Sequence, residues 1–353
     1  METNQLELSF LSIFSLIVFF IFLILSKYSN RLKNGILLDK DFFKPQAFHQ
    51  TAVSRSGGLA GIISLNILLI IYYLIYSKVL LEYLLVGNLM FLIGFVDDIR
   101  TKISPLKRLI LMIFFLFILI YFFSIEISNI DIPFLSVLFN NNFISSIFVL
   151  LCFLFIINGA NLIDGFNGLL AINLIIINSI LAYINIYNGN IEISFFIIGQ
   201  IIILLSFLLF NFPSAKMFFG DSGSYLMGSL VALNTIFTNN LNTDYSSFFF
   251  CILLFYLFFE VFFSFIRKIS QKKSPIHPDN KHLHMLIFNK VSLIFGKEKG
   301  NFINSVVINF IYCLLVIPAL IFSKDPIISR IWFFSLIIVY LLIYIRLYRL
   351  TKN

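Results

Sequence analysis

The chain has 353 residues, of which 60% are hydrophobic, 18% aromatic and only 12% charged, and its mean hydropathy is +0.99. Soluble domains carry about 25% charged residues, so this chain has too little polar surface to coat a soluble globule, and its hydrophobicity excludes disorder. In such a protein a net charge of +8 first reflects basic loops on the cytoplasmic side of the membrane. It also suits binding to anionic lipids or phosphorylated substrates, rather than to nucleic acid. The composition predicts an all-α, polytopic membrane helix bundle, with a single integral membrane domain over residues 1–353.

Apolar runs divide the chain into predicted spans, because a helix needs about 20 apolar residues to cross a bilayer. Eleven runs qualify: 8–26, 57–77, 79–96, 109–125, 143–158, 168–187, 194–212, 223–238, 247–266, 303–322 and 330–347. The eighth is the weakest, since it is short and ends in the polar run Thr238-Asn239-Asn240. The three cysteines all lie in apolar runs without a CxxC spacing, which predicts neither disulfides nor a thiolate metal site.

The distribution of basic residues predicts the orientation of these spans. Lys27, Arg31 and Lys33 follow the first span, whereas the charged residues that precede it, Glu2 and Glu7, are both acidic. The positive-inside rule therefore places the N-terminus outside and the loop 27–56 in the cytoplasm. Eleven alternating spans then put 22 of the 25 Lys and Arg residues on the cytoplasmic side, together with the C-terminus.

Five predicted cytoplasmic segments carry distinctive polar clusters. The first is Arg55-Ser56-Gly57-Gly58, where paired glycines let a backbone approach a neighbour or a phosphate closely, although a hinge explains them about as well. The second is Asp97-Asp98, directly after the third span. Adjacent carboxylates repel each other, so they favour either a solvated helix end or a shared cation such as Mg²⁺.

The third cluster interrupts two apolar helices with amides, a carboxylate and glycines between Asn158 and Gly168. On a helix, Asn158, Asn161 and Asp164 recur every three residues and share one face. Such a face is costly in lipid, so the spacing favours a wet groove that holds substrate over a structural polar turn.

The fourth cluster, residues 218–224, places Asp221 at the start of a helix among small residues. A helix N-terminus offers free N–H groups and partial positive charge, which suit a phosphate. An N-cap explains Asp221 alone, but not the glycines on both sides of it.

The fifth cluster gathers His277, Lys281, His282 and His284 in the longest predicted cytoplasmic loop, residues 267–302. No cysteine assists and the spacing matches no standard zinc motif, so contact with phosphate or diphosphate is favoured over zinc. The five clusters together offer carboxylate and amide oxygens beside basic groups, which suit Mg²⁺ and phosphoryl chemistry. The sequence thus predicts a membrane enzyme with a cytoplasmic-face site for a phosphorylated substrate.

In this order, the clusters resemble the polyprenyl-phosphate N-acetylhexosamine-1-phosphate transferases, a superfamily that includes the peptidoglycan translocase. The specific motifs are Asn-x-x-Asn-x-x-Asp-Gly at 158–165 and Gly-Asp-x-Gly-Ser at 220–224, and the likeness extends from Arg55 to His284. The resemblance implies a phosphotransferase of the bacterial inner (cytoplasmic) membrane. In that reaction undecaprenyl phosphate attacks a UDP-N-acetyl sugar, UMP leaves and an undecaprenyl-diphosphate sugar remains for cell-surface glycan synthesis. A homodimer is left open.

The resemblance also assigns roles, with Mg²⁺, or Mn²⁺ in its place, as the cofactor. It implies metal ligands at Asp97, Asp98, Asn161 and Asp221. It implies catalytic roles for Asp97, Asp98, Asp221, His282 and His284, with one of the acidic pair deprotonating the lipid phosphate. It implies substrate contacts from Arg55, Asn158, Asn161, Asp164, Gly165, Asn167, Phe219, His277 and Lys281.

Two alternatives remain beside the transfer of GlcNAc-1-phosphate. The lipid I-forming peptidoglycan transferase is disfavoured, because the tripled histidine typical of it is absent and eleven spans suit the GlcNAc-1-phosphate branch. A secondary transporter would place charges near the midplane, and only Glu260, inside the ninth span, meets that expectation. Asn167 and Met285 stand where the common pattern has Asp and His, which bears on the choice of sugar.

Overall fold

The structure is a computed structural model that describes residues 2–28, 36–39, 52–99, 103–274 and 279–350. Within these ranges the chain forms thirteen α-helices, one 3-10 helix (Pro318–Leu320) and one two-stranded sheet. The helices are α1 (Glu2–Tyr28), α2 (Gly57–Tyr76), α3 (Leu81–Asp98), α4 (Pro105–Phe122), α5 (Pro133–Phe139), α6 (Asn142–Ile163), α7 (Leu169–Tyr187), α8 (Ile191–Asn211), α9 (Gly220–Leu241), α10 (Ser247–Leu253), α11 (Phe255–Ser270), α12 (Leu283–Val316) and α13 (Pro326–Leu350). Strands β1 (Leu38–Asp39) and β2 (Val53–Ser54) pair antiparallel.

Long apolar helices dominate the molecule. Among the residues that the structure describes, eight helices are long and apolar enough to cross a membrane, and the pair α10–α11, bent by 76°, is a ninth candidate. Each of the eleven predicted runs coincides with helical structure. The predicted class is therefore confirmed: the protein is an all-α, polytopic membrane protein.

Helix α9 lies at the centre of the bundle, packed against α2, α3, α6 and α7. Protein rather than lipid surrounds it, so it can carry polar side chains that pair internally. Asn234 is fully buried, accepts a hydrogen bond from the Tyr83 hydroxyl at 2.9 Å and donates one to Gln200 Oε1 at 2.8 Å. These polar positions explain why α9 is not among the most apolar helices, although it lies deepest.

Helix α12 differs from the prediction. Residues 267–302 were expected to form a loop, but α12 begins at Leu283 and runs to Val316, with a break at Gly296, where φ is 78°. The first part of α12 is helical because Leu283, Leu286 and Phe288 give it a buried apolar face. His282 and His284 consequently lie at the N-terminus of α12 and not in the middle of a loop.

Candidate active site

The N-terminus of α9 organises the site, and a carboxylate from α3 caps it. Asp98 accepts hydrogen bonds from the backbone N–H groups of Asp221 (3.1 Å) and Ser222 (2.9 Å) and from the Ser222 hydroxyl (2.5 Å). These are the free donors that begin every helix. The predicted attraction of this helix end for anionic groups is thus satisfied by a side chain of the protein itself.

Glycines allow the backbones around this helix end to come together. A Cβ at Gly94 of α3 would lie 2.5 Å from the Asp221 backbone, and one at Gly58 of α2 would lie 2.1 Å from Ser222 Oγ. The amides of Gly57 and Gly58 also donate to the carbonyls of Phe218 and Phe219. The predicted close approach of the Arg-x-Gly-Gly segment is therefore to a neighbouring backbone.

Two arginines cross-link the carboxylates of the cluster. The Arg108 guanidinium of α4 pairs with Asp97 (3.0 Å) and with Asp221. Arg55 pairs with Asp39 at 2.6 Å and lies 3.6 Å from Asp98. Asp97 and Asp98 are adjacent in sequence, yet Asp98 is 1% exposed beneath α9, whereas Asp97 is only half-buried and faces the Arg108 guanidinium.

The polar face at the end of α6 is only partly assembled at this cluster. Asn161 donates from Nδ2 to Asp221 Oδ1 and to Ser224 Oγ, both at 3.0 Å. Asn158 instead donates to the carbonyl of Leu154 in its own helix. Asp164 directly follows the last residue of α6, and part of its surface is exposed. Desolvation and the nearby Asp221 and Asp98 carboxylates nevertheless raise the pKa of Asp164 well above its usual range.

The turn over residues 164–168 connects α6 to the rest of the site. Gly165 lies in it, Asn167 donates from Nδ2 to the carbonyl of Pro213 at 2.8 Å, and the Asn167 N–H donates to Asn301 of α12 at the same distance. The ring of Phe166 packs edge-to-face on His284 at 5.7 Å. The turn therefore joins the α9 cluster to the histidine segment.

The histidine segment is more buried than the sequence indicates. His282 and His284 are 2% and 0% exposed and stack in parallel with ring centroids 5.4 Å apart. Their predicted direct contact with diphosphate is therefore not supported in this structure. Lys281 donates from Nζ to the Tyr348 hydroxyl at 3.3 Å, and His277 lies outside the described residues.

Asp279 holds this segment to α11. It pairs with Arg267 at 2.9 Å and accepts a hydrogen bond from the Lys281 N–H at 3.1 Å. Desolvation acts to raise the pKa of Asp279, but the bonds from Arg267 and Lys281 outweigh it and leave the pKa below the usual range.

Phe219 requires a correction. It was expected to contact substrate, but its ring is fully buried and stacks on Phe207 with centroids 4.1 Å apart. Because it precedes α9 directly, the ring anchors the N-terminus of that helix to α8 rather than reaching a ligand.

Comparison with known proteins assigns the family. The sequence profile of glycosyl transferase family 4 matches residues 80–239. Over 248 residues the chain is 30% identical to the phospho-N-acetylmuramoyl-pentapeptide-transferase of Staphylococcus saprophyticus, with 65% of this chain and 76% of that protein aligned. The chain belongs to glycosyl transferase family 4.

Two further relatives share shorter segments with the chain. The undecaprenyl-phosphate alpha-N-acetylglucosaminyl 1-phosphate transferase of Thermotoga maritima is 32% identical over 148 residues, 42% of this chain and 45% of that protein. The probable undecaprenyl-phosphate N-acetylglucosaminyl 1-phosphate transferase of Bacillus subtilis is 29% identical over 238 residues, 67% of this chain and 66% of that protein. The chain thus aligns with about half to two-thirds of the length of these relatives.

The candidate site offers a small number of oxygen ligands that could hold Mg²⁺. Asp97 and Asp221 converge on one cationic group, Arg108, so both can face one cation. Asp98 has its oxygens occupied by the α9 N-terminus, and Asn161 turns its amide nitrogen to Asp221. Across the described residues no three His, Cys, Asp or Glu side chains form a metal cluster. This donor set suits Mg²⁺, which binds through one or two carboxylates together with waters and substrate phosphates.

Several residues in or beside the candidate site were not singled out from the sequence. Arg108 was visible only as part of a basic run, and Asp39 only as a loop charge. Glu260 was a lone charge in an apolar span, and that isolation was the signal in the sequence that could have identified it. The structure pairs Glu260 with His282 at 3.1 Å. Such pairings join distant parts of the chain, so sequence spacing does not reveal them.

An apolar cavity of about 350 Å³ lies between α6, α9 and the bent pair α10–α11. Side chains such as Phe155, Ile236 and Leu254 line it. Its lining suits a hydrocarbon ligand.

Proposed function

We propose that the protein transfers an N-acetylhexosamine-1-phosphate, such as GlcNAc-1-phosphate, from a UDP-sugar to undecaprenyl phosphate. An oxygen of the lipid phosphate attacks the β-phosphorus of the UDP-sugar, the bond from that phosphorus to the bridging oxygen breaks, and UMP leaves with the bridging oxygen. The undecaprenyl-diphosphate sugar stays in the membrane as the first intermediate of a cell-surface glycan. The names of the relatives support both the acceptor and the reaction type.

The observation that carries the proposal is the shared pairing of Asp97 and Asp221 with Arg108 beside the α9 N-terminus. Two anionic substrates must meet in this reaction, so their repulsion has to be offset by positive charge. Arg55 and Arg108 supply fixed positive charge. Asp97 and Asp221 would hold Mg²⁺, which would add positive charge beside the phosphates.

Asp97 is the better candidate for the base that takes the lipid proton. Asp98 accepts three hydrogen bonds from Asp221 and Ser222 and is 1% exposed, so it braces α9. Asp97 is half-buried and pairs with the Arg108 guanidinium beside the Asp221 carboxylate, and it caps no helix. Asp164, Gly165 and Asn167 form the adjoining turn, where we place the nucleotide.

The membrane setting that we propose has eleven spans, an outside N-terminus and the site at the cytoplasmic face of a bacterial inner membrane. In this orientation the UDP-sugar arrives from the cytoplasm and the lipid enters laterally. The apolar cavity beside α6 and α9 suits the isoprenoid chain of the lipid. One transferase domain spans the whole chain in this proposal.

The test is incubation of purified protein with undecaprenyl phosphate, Mg²⁺ and a panel of UDP-N-acetyl sugars, with UMP release as the readout. We expect release with a UDP-N-acetylhexosamine and none from Asp221→Asn, which removes one carboxylate charge at the cluster. Asp244→Asn is the matched control, because Asp244 is exposed and pairs only loosely with Lys324 at 3.6 Å. Release only with the muramyl-pentapeptide donor supports the lipid I-forming reaction, and no release with any donor contradicts the transferase proposal.

A further inference from the structure

Glu260 is a buried carboxylate with an unusually complete set of partners. It lies in α11 and is 1% exposed. It accepts hydrogen bonds from His282 Nδ1 (3.1 Å), from the Leu283 N–H (3.1 Å) and from the Tyr340 hydroxyl (2.5 Å). An ionised carboxylate only accepts, so the His282 proton lies on Nδ1 in this bond. One side chain thus ties the start of α12 to both α11 and α13.

His282 passes this restraint on towards the site. Its other ring nitrogen lies 3.4 Å from Asp279, and its ring stacks in parallel on His284 at 5.4 Å. His284 in turn contacts the ring of Phe166 in the turn 164–168. A continuous series of contacts therefore joins Glu260 to the turn where the nucleotide is placed.

Burial of a carboxylate is costly, and an apolar residue of similar size would often serve stability as well or better. The cost is offset here by three hydrogen bonds, two of which come from one element, the segment Asp279–His284. We propose that Glu260 is a positioning residue: through His282 it holds this segment against the turn 164–168 and so shapes the nucleotide side of the site. This inference rests on the proposed function, but its key contact can be measured separately.

The kinetic test compares Glu260→Gln, His282→Asn and the double variant in the UMP-release assay. We expect each single variant to lower kcat/KM for the UDP-sugar at least tenfold while KM for undecaprenyl phosphate stays within twofold. We expect the kcat/KM of the double variant to be no lower than that of the less active single variant, because the two residues act as one unit. Losses that multiply, or a Glu260→Gln enzyme with wild-type kcat/KM, would overturn the proposal.

Tyr340→Phe is the matched control, because it removes one hydrogen bond from the same carboxylate and leaves the bond to His282. We expect its kcat/KM to stay within threefold of the wild type and its melting temperature to fall at least as far as that of Glu260→Gln. A loss of activity in Tyr340→Phe equal to that in Glu260→Gln would assign the effect to general stability and contradict positioning through His282.

A spectroscopic measurement keeps the inference separate from the proposed activity. With ¹⁵N-labelled histidine, the His282 ring-nitrogen signals are assigned by their loss in His282→Asn. We expect the Nδ1 signal to shift in Glu260→Gln, where the carboxylate partner is gone, and an unchanged signal would refute the pairing. If the wild type releases no UMP from any donor, the proposed function fails while this measurement still decides whether Glu260 holds His282.

Discussion

The carboxylate of Asp98 lies across the N-terminus of α9 and accepts a hydrogen bond from the backbone N–H of Asp221 at 3.1 Å. A residue at the end of one helix thereby fixes the first turn of another, and the side chain of Asp221 is left free to face Arg108. In the proposed function the neighbouring carboxylates of α3 have different roles, since Asp98 caps α9 and Asp97 acts in catalysis, and this division can be tested.

Asp98→Asn and Asp97→Asn form a matched pair of variants. Asp98→Asn replaces one accepting carboxylate oxygen by a donating amide group, so part of a set of three hydrogen bonds is lost. Each such bond contributes about 0.5–1.5 kcal/mol, so we expect a lower melting temperature in detergent and low activity. Asp97→Asn removes one ion pair and no helix cap, so we expect loss of UMP release with a smaller fall in melting temperature than for Asp98→Asn. Equal melting temperatures for the two variants would contradict the capping role of Asp98.

Arg108→Ala tests the positive charge between Asp97 and Asp221. Loss of a preorganised group that stabilises charge in the transition state costs on the order of 100-fold in rate, and we expect a fall of that size in kcat/KM for the UDP-sugar. Arg108→Lys should recover part of it, because it restores the charge without the planar guanidinium. Lys107→Ala is the control, since Lys107 is the exposed neighbour in the same helix, and an equal loss in that variant would point to bulk surface charge instead.

Gly94→Ala tests the close packing of α3 on α9. The added Cβ would lie 2.5 Å from the Asp221 backbone, which can be relieved only by moving one helix, and overpacking of this kind costs about 1–3 kcal/mol. We expect a lower melting temperature and reduced activity, because the movement displaces Asp221. Gly61→Ala, whose nearest neighbour is a Leu226 side-chain atom at 3.4 Å, should be nearly neutral, and equal effects of both substitutions would contradict the packing argument.

Much of the fold was predictable, because long apolar runs allow few alternatives in a chain with so little charge. The seven-residue helix α5 was not predicted, since Pro133–Phe139 is too short for a periodic signal. The first part of α12 was assigned to a loop because Lys290 and the later lysines resemble cytoplasmic loop composition, whereas the apolar face around Leu286 decides the packing.

The site was predictable as a set of segments, but not as a set of contacts. The motifs around Asp97, Asp164 and Asp221 lie close together in the structure, because α3 and α6 each pack against α9. Neither the capping of α9 by Asp98 nor the burial of Phe219 follows from sequence spacing, because both depend on how α9 sits among its neighbours. For the same reason the partnership of Glu260 with His282, 22 positions away, became visible only in the structure.

The topology can be tested with one matched pair of cysteine variants in a background from which the three native cysteines have been removed. Lys273 and Lys324 are both exposed and flank the single predicted span that α12 provides. We expect a membrane-impermeant maleimide to label Lys324→Cys on intact cells and to label Lys273→Cys only after the membrane is opened. The reverse pattern would invert the proposed orientation and move the site to the outer face, where no UDP-sugar is available. Labelling of both positions from the same side would mean that α12 does not cross the membrane, and eleven spans could not then be correct.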